Sequence, residues 1–328
     1  MSIESTLIIG GGAIGVQHHL PRVRRLLGSK LIKIYEPDEA RAEVLAAEFR
    51  GDPVVTVHAA IPNEAFQLVI VATPPKFHAA YFKEFAERCD ACIIEKPLAL
   101  TAAECAEIAD IARSSRAMVF VPMIRRALGG YRLIAELTQA QAFGRLLSVA
   151  ATEGGVFSWA ATSLGSFSRA LNGGGVLMDT GPHTIDVLLQ LLDDLECQQA
   201  YMDGFAPAVE ANCELQLTTA EDVPVTLLLS RNRQLSSEVE LTYEDATVTI
   251  GVRGSLAKVL RHDGISYNLL PADIDSGKDP SFAELFDLWY RRFVLTGDNH
   301  GVGPDEATKT ARVIDAAYRL AQPIEGGF

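Results

Sequence analysis

Two absences narrow the chain first. No apolar run approaches the roughly 20 residues of a membrane-spanning helix. No block of lysine and arginine occurs either, and the net charge is −13. That argues against nucleic acid as a main partner, although a pocket of opposite charge leaves an anionic substrate open. No basic segment precedes the first apolar run, Leu7–Ile9, which leads directly into a glycine turn. A signal peptide is therefore not expected, and the cytoplasm is the expected compartment. Cysteine is scarce, with five scattered residues, an odd set that suits a reducing compartment. Cys89 and Cys92 make a C-x-x-C, but no second pair stands at zinc-site spacing. They are read as core residues, and no metal site is expected. Internal repeats and low-complexity tracts are also missing.

What is present is a chain of 328 residues, 48% hydrophobic and 22% charged, suited to about two globular domains. Its most informative stretch runs from Leu7 to Glu36. A short apolar strand ends at Gly10, Gly12 and Gly15, which fit G-x-G-x-x-G. A helical segment follows, then a strand over 31–35 that ends in Glu36. This is the order of a dinucleotide-binding fingerprint. Gly10 permits the tight turn, Gly12 lets backbone approach a pyrophosphate, and Gly15 lets the helix lie close to the sheet. The helix N-terminus offers free N–H groups to phosphate. Glu36 stands where an acid accepts hydrogen bonds from ribose hydroxyls. It would repel a 2′-phosphate, so NAD is expected in preference to NADP.

Strand and helix patterns alternate to about residue 123. Helices are expected over 38–49, 78–88 and 101–114, the last opening with the capping box Thr101…Glu104. Strands are expected over 54–57, 66–72, 92–94 and 117–121. Pro21 should shorten or bend the first helix, and His18 and His19 are read as surface or packing residues. This predicts an α/β protein with a doubly wound parallel sheet and ligands at its carboxyl ends, over residues 1–123. From Leu146 onward, longer segments alternate polar and apolar residues, as in Glu214-Leu215-Gln216-Leu217-Thr218. Residues 124–328 are expected to form a second α/β domain with a large, open, mostly antiparallel sheet and helices on one side. Its other face invites self-association. The last helix, about 305–320, is expected to pack back on one of the domains, the first being the candidate.

With GGGAIG at Gly10–Gly15, ATPPKFH at Ala72–His78, EKPLALT at Glu95–Thr101 and GGGVLMDTGPHTID at Gly173–Asp186, the chain resembles the Gfo/Idh/MocA family of oxidoreductases over nearly its whole length. The resemblance implies a Rossmann domain, NAD(P), a dimer or tetramer, and a sugar, cyclitol or nucleotide-sugar substrate. It implies that Lys96 and His183 face the reacting carbon, with Asp179 beside them. Ala13, Ile14, Thr73, Pro74, His78 and Glu95 join Gly10, Gly12, Gly15, Glu36 and Lys96 as expected cofactor-binding residues. After the last Rossmann strand the family commonly has an asparagine two residues before an arginine and an aromatic. Here Pro122-Met123-Ile124-Arg125-Arg126-Ala127 keeps arginine alone. Arg125, Arg169 and Asn172 are candidate substrate ligands, and Arg125 in a pocket would favour a carboxylate or phosphate.

The implied chemistry is hydride transfer between a secondary alcohol carbon and nicotinamide. A base must take the hydroxyl proton in oxidation, and an acid must return it in reduction. His183 suits both near neutral pH. Lys96 can orient the substrate oxygen, stabilise developing charge or relay the proton, and Asp179 can hold the ring, orient a substrate hydroxyl or tune His183. Two other classes remain open. One is a non-catalytic sensor of NAD or sugar. The other is a lyase or hydrolase with tightly held, recycled NAD.

Overall fold

A computed structural model describes residues 3–156, 168–204, 208–254, 256–271 and 279–324. They divide into two compact units. The first takes the chain up to Pro122 together with Phe286–Thr308. The second takes the described residues from Met123 to Leu285 and from Lys309 onward.

In the first unit, β1 (Ser5–Ile9), β2 (Leu31–Tyr35), β3 (Val55–His58), β4 (Phe66–Val71), β5 (Cys89–Ile94) and β6 (Met118–Phe120) form one sheet in the order β3-β2-β1-β4-β5-β6. Every pair is parallel. The central strands β1, β4 and β5 are buried along almost their whole length, which matches their near-continuous apolar runs, whereas β2 and β3 toward one edge carry half-buried and exposed residues. Strand order reverses between β1 and β4, where Ile9 stands beside Val71. In parallel sheets of this kind a dinucleotide binds outside the carboxyl ends of the strands at such a reversal.

Between the strands lie α1 (Leu20–Arg22), α2 (Glu39–Glu48), α3 (His78–Phe85) and α4 (Ala102–Ser114). Helix α1 continues on both sides as π-helical turns, Ile14–His19 and Val23–Leu27. Leu20 N–H bonds to Gly15 O, so the wider winding surrounds Pro21, which has no N–H to give. The capping box on α4 is complete: Glu104 N–H donates to Thr101 Oγ1 at 3.2 Å, and Glu104 Oε2 accepts from Thr101 N–H at 3.1 Å. Cys89 and Cys92 both lie within β5, buried and unbridged. The strand begins at Cys89, three residues before the expected start, because Cys89 already pairs with Phe66.

In the second unit the helices are α5 (Gly129–Gln139), α6 (Arg169–Asn172), α7 (Val176–Asp179) and α8 (Gly181–Leu192). The strands are β7 (Leu146–Gly154), β8 (Glu196–Met202), β9 (Asn212–Thr218), β10 (Pro224–Ser230), β11 (Glu238–Tyr243), β12 (Ala246–Gly251), β13 (Ala257–Arg261), β14 (Ser266–Leu269) and β15 (Ala321–Pro323). They join in the order β14-β13-β12-β11-β7-β10-β9-β8-β15. Only β7–β10 and β8–β15 are parallel. The register explains the alternating sequence. Leu215, Leu227, Ala151, Val239, Ile250 and Ala257 form one buried cross-strand row. The next row, Gln216, Thr226, Ala150, Glu240, Thr249 and Lys258, faces the other way and is half-buried or exposed. Helices α5 and α8 pack on each other. Tyr131 Oη donates to Gly251 O at 2.7 Å, tying α5 to β12.

A further helix, α9 (Phe282–Trp289), runs on as π-helical turns Tyr290–Val294. From Phe286 it adds to the first unit an aromatic cluster of Phe286, Trp289, Tyr290 and Phe293. Beyond it, Asn299 Nδ2 donates to Val119 O at 3.0 Å and Val121 N–H to Val302 O at 2.7 Å, so this segment lines β6. In α10 (Pro304–Leu320), residues to Thr308 belong to the first unit and the rest to the second. Among the described residues no helix is long and apolar enough to cross a membrane.

Candidate active site

The glycine turn follows β1. Gly10 has φ +104°, and a Cβ on it would lie 2.6 Å from Ala72 O. A Cβ on Gly15 would lie 2.4 Å from Gly10 O, so the helix crosses the turn too closely for any side chain. Gly12 is different: a Cβ there would project into open space, with nothing within 4 Å. That is the backbone surface a pyrophosphate requires. Ala13 and Ile14 follow as the chain enters its first helical turn, with Val16 N–H bonded to Gly12 O at 3.0 Å.

Glu36 directly follows β2 and is 8% exposed. Its Oε2 accepts from Gly11 N–H at 2.9 Å and its Oε1 from Asp38 N–H at 3.0 Å, which aims the carboxylate along the glycine turn. Arg41, on α2, reaches the same place. Its Nη2 donates to Gly11 O at 2.7 Å, and its Nε lies 3.6 Å from Glu36 Oε2. Sequence reasoning missed Arg41. The signal was available, since Arg41 follows the N-cap Asp38 by three residues and so faces back toward the end of β2.

Thr73-Pro74 leaves β4, and His78 begins α3. His78 is fully buried. Its Nε2 lies 2.8 Å from Thr73 O and its Nδ1 3.1 Å from Leu98 O. It holds the loop after β4 to the loop after β5. Burial lowers its pKa despite those carbonyls, which favour the charged ring.

Glu95 ends the β5 segment and is buried. Its Oε2 accepts from Lys96 N–H at 3.0 Å, and its Oε1 lies 2.9 Å from His19 Nε2. His19 Nδ1 lies 2.6 Å from Tyr290 Oη. A carboxylate only accepts, so the proton on His19 Nε2 points at Glu95. Burial, with Glu95 nearby, holds the Tyr290 hydroxyl far above its ordinary pKa, so it keeps its proton. Lys96 is half-buried, and its peptide bond to Pro97 is cis.

In the second unit, Asp179 closes α7 and His183 lies in the first turn of α8. Thr180 between the helices keeps helical dihedrals, so Asp179 and His183 stand one turn apart on a common face. Arg231, just past β10, reaches Asp179 Oδ2 at 3.4 Å. Glycines set the approach to this segment: a Cβ on Gly175 would lie 1.9 Å from Glu210 O, and one on Gly174 1.8 Å from Tyr318 Oη. Glu210 is fully buried. Its Oε1 accepts from Gly175 N–H (2.8 Å), Leu177 N–H (3.1 Å) and Tyr318 Oη (2.8 Å), capping α7 from a distant part of the chain. Neither Glu210 nor Arg231 stood out in the sequence.

Of the candidate substrate ligands, Arg169 lies over the Tyr318 ring at 5.0 Å, and Asn172 ends α6. Arg125 is buried and directed at Glu153, with Nη1–Oε2 at 2.8 Å and Nη2–Oε1 at 2.5 Å. Among the described residues no cluster of three or more His, Cys, Asp or Glu is placed to hold a metal ion.

Residues 5–123 match the model described as oxidoreductase family, NAD-binding Rossmann fold, and residues 131–257 match the GFO/IDH/MocA C-terminal domain. The chain belongs to the Gfo/Idh/MocA family of oxidoreductases. Within it, the chain is similar to an inositol 2-dehydrogenase of Paenarthrobacter aurescens, 24% identical over 88% of this chain and 85% of the relative. It is also 25% identical to an uncharacterized oxidoreductase of Synechocystis, over 79% of this chain and 70% of that one. Among solved structures, a 3-ketoreductase from Actinomadura kijaniata in complex with NADP and TDP-benzene shares the fold at a TM-score of 0.78 and 20% identity, over 97% of this chain and 98% of that one. A levoglucosan dehydrogenase in complex with NADH and levoglucosan does so at 0.78 and 19%, over 96% of each chain.

Proposed function

We propose that the chain moves a hydride between nicotinamide and a secondary alcohol or ketone carbon of a sugar, cyclitol or nucleotide sugar. Bound at the glycine turn, the cofactor would supply or accept the hydride. The chain's own residues do the rest. Gly10, Gly12, Gly15 and the first helical turn receive the pyrophosphate, and Glu36 receives the ribose. Lys96 and His183 handle the proton of the reacting hydroxyl, with Asp179 assisting.

The observation that carries this reading is that Asp179 and His183 stand one helical turn apart in a family of oxidoreductases. An acid one turn before an imidazole can orient the ring and stabilise its charged form. The relatives' names support a polyol or its ketone as substrate. We assign the cofactor to the first unit, residues up to 122 with Phe286–Thr308, and the substrate to the second unit. We assign self-association, as a homodimer or homotetramer, to the polar face of the nine-stranded sheet, and localisation to the cytoplasm, where five free cysteines stay reduced.

We favour NAD, because Glu36 would repel a 2′-phosphate. One observation favours a second reading for the cofactor: Arg41 beside Glu36 is a guanidinium at the place where a 2′-phosphate would bind.

The test is absorbance at 340 nm, with NAD and NADP against cyclitols, aldoses, uronic acids and nucleotide sugars, and with NADH and NADPH against keto sugars. Turnover on one class supports the reading. Measurable NADH binding with no turnover on any member counts against it.

A further inference from the structure

Arg125 occupies the position where the family pattern leads one to look for a substrate ligand, yet its guanidinium is held by Glu153 through a bidentate fork. Arg125 is buried, and the Glu153 side chain keeps only 13% of its exposure. Burial alone would raise the Glu153 carboxyl, but the Arg125 charge and the hydrogen bonds from Arg125 and Thr184 bring it below its ordinary value. A buried ion pair gives little net stability, since a well-packed apolar pair of similar volume often serves as well or better. Stability therefore does not account for the pair.

An apolar pair would be unable to hold Thr184. Its hydroxyl donates to Glu153 Oε2, and Arg125 Nη1 donates to Thr184 Oγ1 at 3.3 Å. Thr184 is fully buried and directly follows His183. Two residues further on, Asp186 is gripped by Arg126, whose Nε lies 3.0 Å from Oδ1 and 2.9 Å from Oδ2. The tandem arginines thus take hold of the start of α8 at two adjacent points. No side-chain cap does so, because Thr180 makes no capping hydrogen bond there. A helix start fixed only by its backbone is free to rotate and fray.

We propose that Arg125, Glu153 and Thr184 are positioning residues for His183: together they fix the first turn of α8, and through it the direction of the imidazole, and Arg125 binds no substrate anion. The role in turnover rests on the reading of His183 as the proton-handling group.

The test uses the full chain with isotope-labelled histidine, the His183 imidazole signals being assigned by their loss in His183→Gln. Thr184→Val keeps shape and removes only the hydroxyl. Thr184→Ser keeps the hydroxyl. The double variant Arg125→Met/Glu153→Met removes both charges together. In Thr184→Val we expect the His183 signals to split, or its titration midpoint to move by about 0.5 pH unit or more, while the melting temperature changes by no more than about 3 °C. Thr184→Ser restores the parent titration. On whichever polyol turns over at 340 nm, kcat falls about fivefold or more in Thr184→Val, with KM within about twofold. Unchanged His183 signals in both Thr184→Val and the double variant overturn the proposal. So does a double variant that keeps kcat and raises KM for uronic acids alone, since Arg125 would then be an anion ligand. If the double variant does not fold, Thr184→Val decides. Absence of turnover by the parent chain counts against the oxidoreductase reading, whereas the imidazole titration judges the positioning claim independently.

Discussion

His19 Nε2 lies 2.9 Å from Glu95 Oε1, and the same carboxylate accepts the Lys96 N–H through its other oxygen. The residue before the candidate proton-handling lysine is thus anchored from the far side of the glycine turn. Tyr290 completes the chain of hydrogen bonds. All three side chains are buried, so each depends on its partner.

Glu95→Ala leaves the Lys96 N–H and His19 Nε2 without their acceptor. Each buried group costs about 1–3 kcal/mol when left unsatisfied. The expected result is a melting temperature lower by roughly 5 °C or more. Glu95→Gln keeps an acceptor oxygen and should lose less than half as much. Equal losses in the two variants, measured by thermal denaturation, would contradict the network.

The Glu36–Arg41 pair makes a second prediction. Glu36→Ala removes the ribose acceptor and leaves Arg41 beside the site. NADH affinity, read by fluorescence titration, should fall about tenfold while NADPH affinity rises. Adding Arg41→Ala should abolish the gain in NADPH affinity. A rise that survives the second substitution would show that Arg41 is not the phosphate ligand.

His78 predicts a pH dependence of stability. Burial lowers its folded pKa below the ordinary 6.5. Between those two values the unfolded chain binds the proton and the folded chain does not, so acid favours unfolding. The stabilising contribution is full above about pH 6.5 and declines as pH falls toward the folded pKa. His78→Gln should be less stable at pH 8, and its melting temperature should fall less between pH 7 and 5 than the parent's. Parallel curves for parent and variant would rule His78 out as the cause.

Much of the first unit was legible because its signals are local. Gly10 and Gly15 are dictated by contacts with Ala72 O and Gly10 O, and Thr101 with Glu104 spells a helix start in four residues. The alternating segments of the second unit gave its sheet because a buried apolar row such as Leu215, Leu227 and Ala151 alternates with a row that is half-buried or exposed. The hydrogen-bonding partners were not legible. Glu153 lies 28 residues from Arg125 and Glu210 lies 35 from Gly175, and no spacing rule connects such pairs. Helix α9 is another matter. Phe282, Leu285, Phe286, Trp289, Tyr290 and Phe293 recur at helical spacing, and the sequence reading assigned them no element.

The most direct test of the central claim compares Lys96→Ala and His183→Ala with the parent chain on the polyol that turns over at 340 nm, with NADH binding followed by fluorescence. Both variants are expected to bind NADH within about threefold of the parent and to lose roughly 100-fold or more in kcat, the scale of a lost proton-transfer group. Turnover within a few-fold of the parent in either variant would contradict the assignment of that residue to the chemistry.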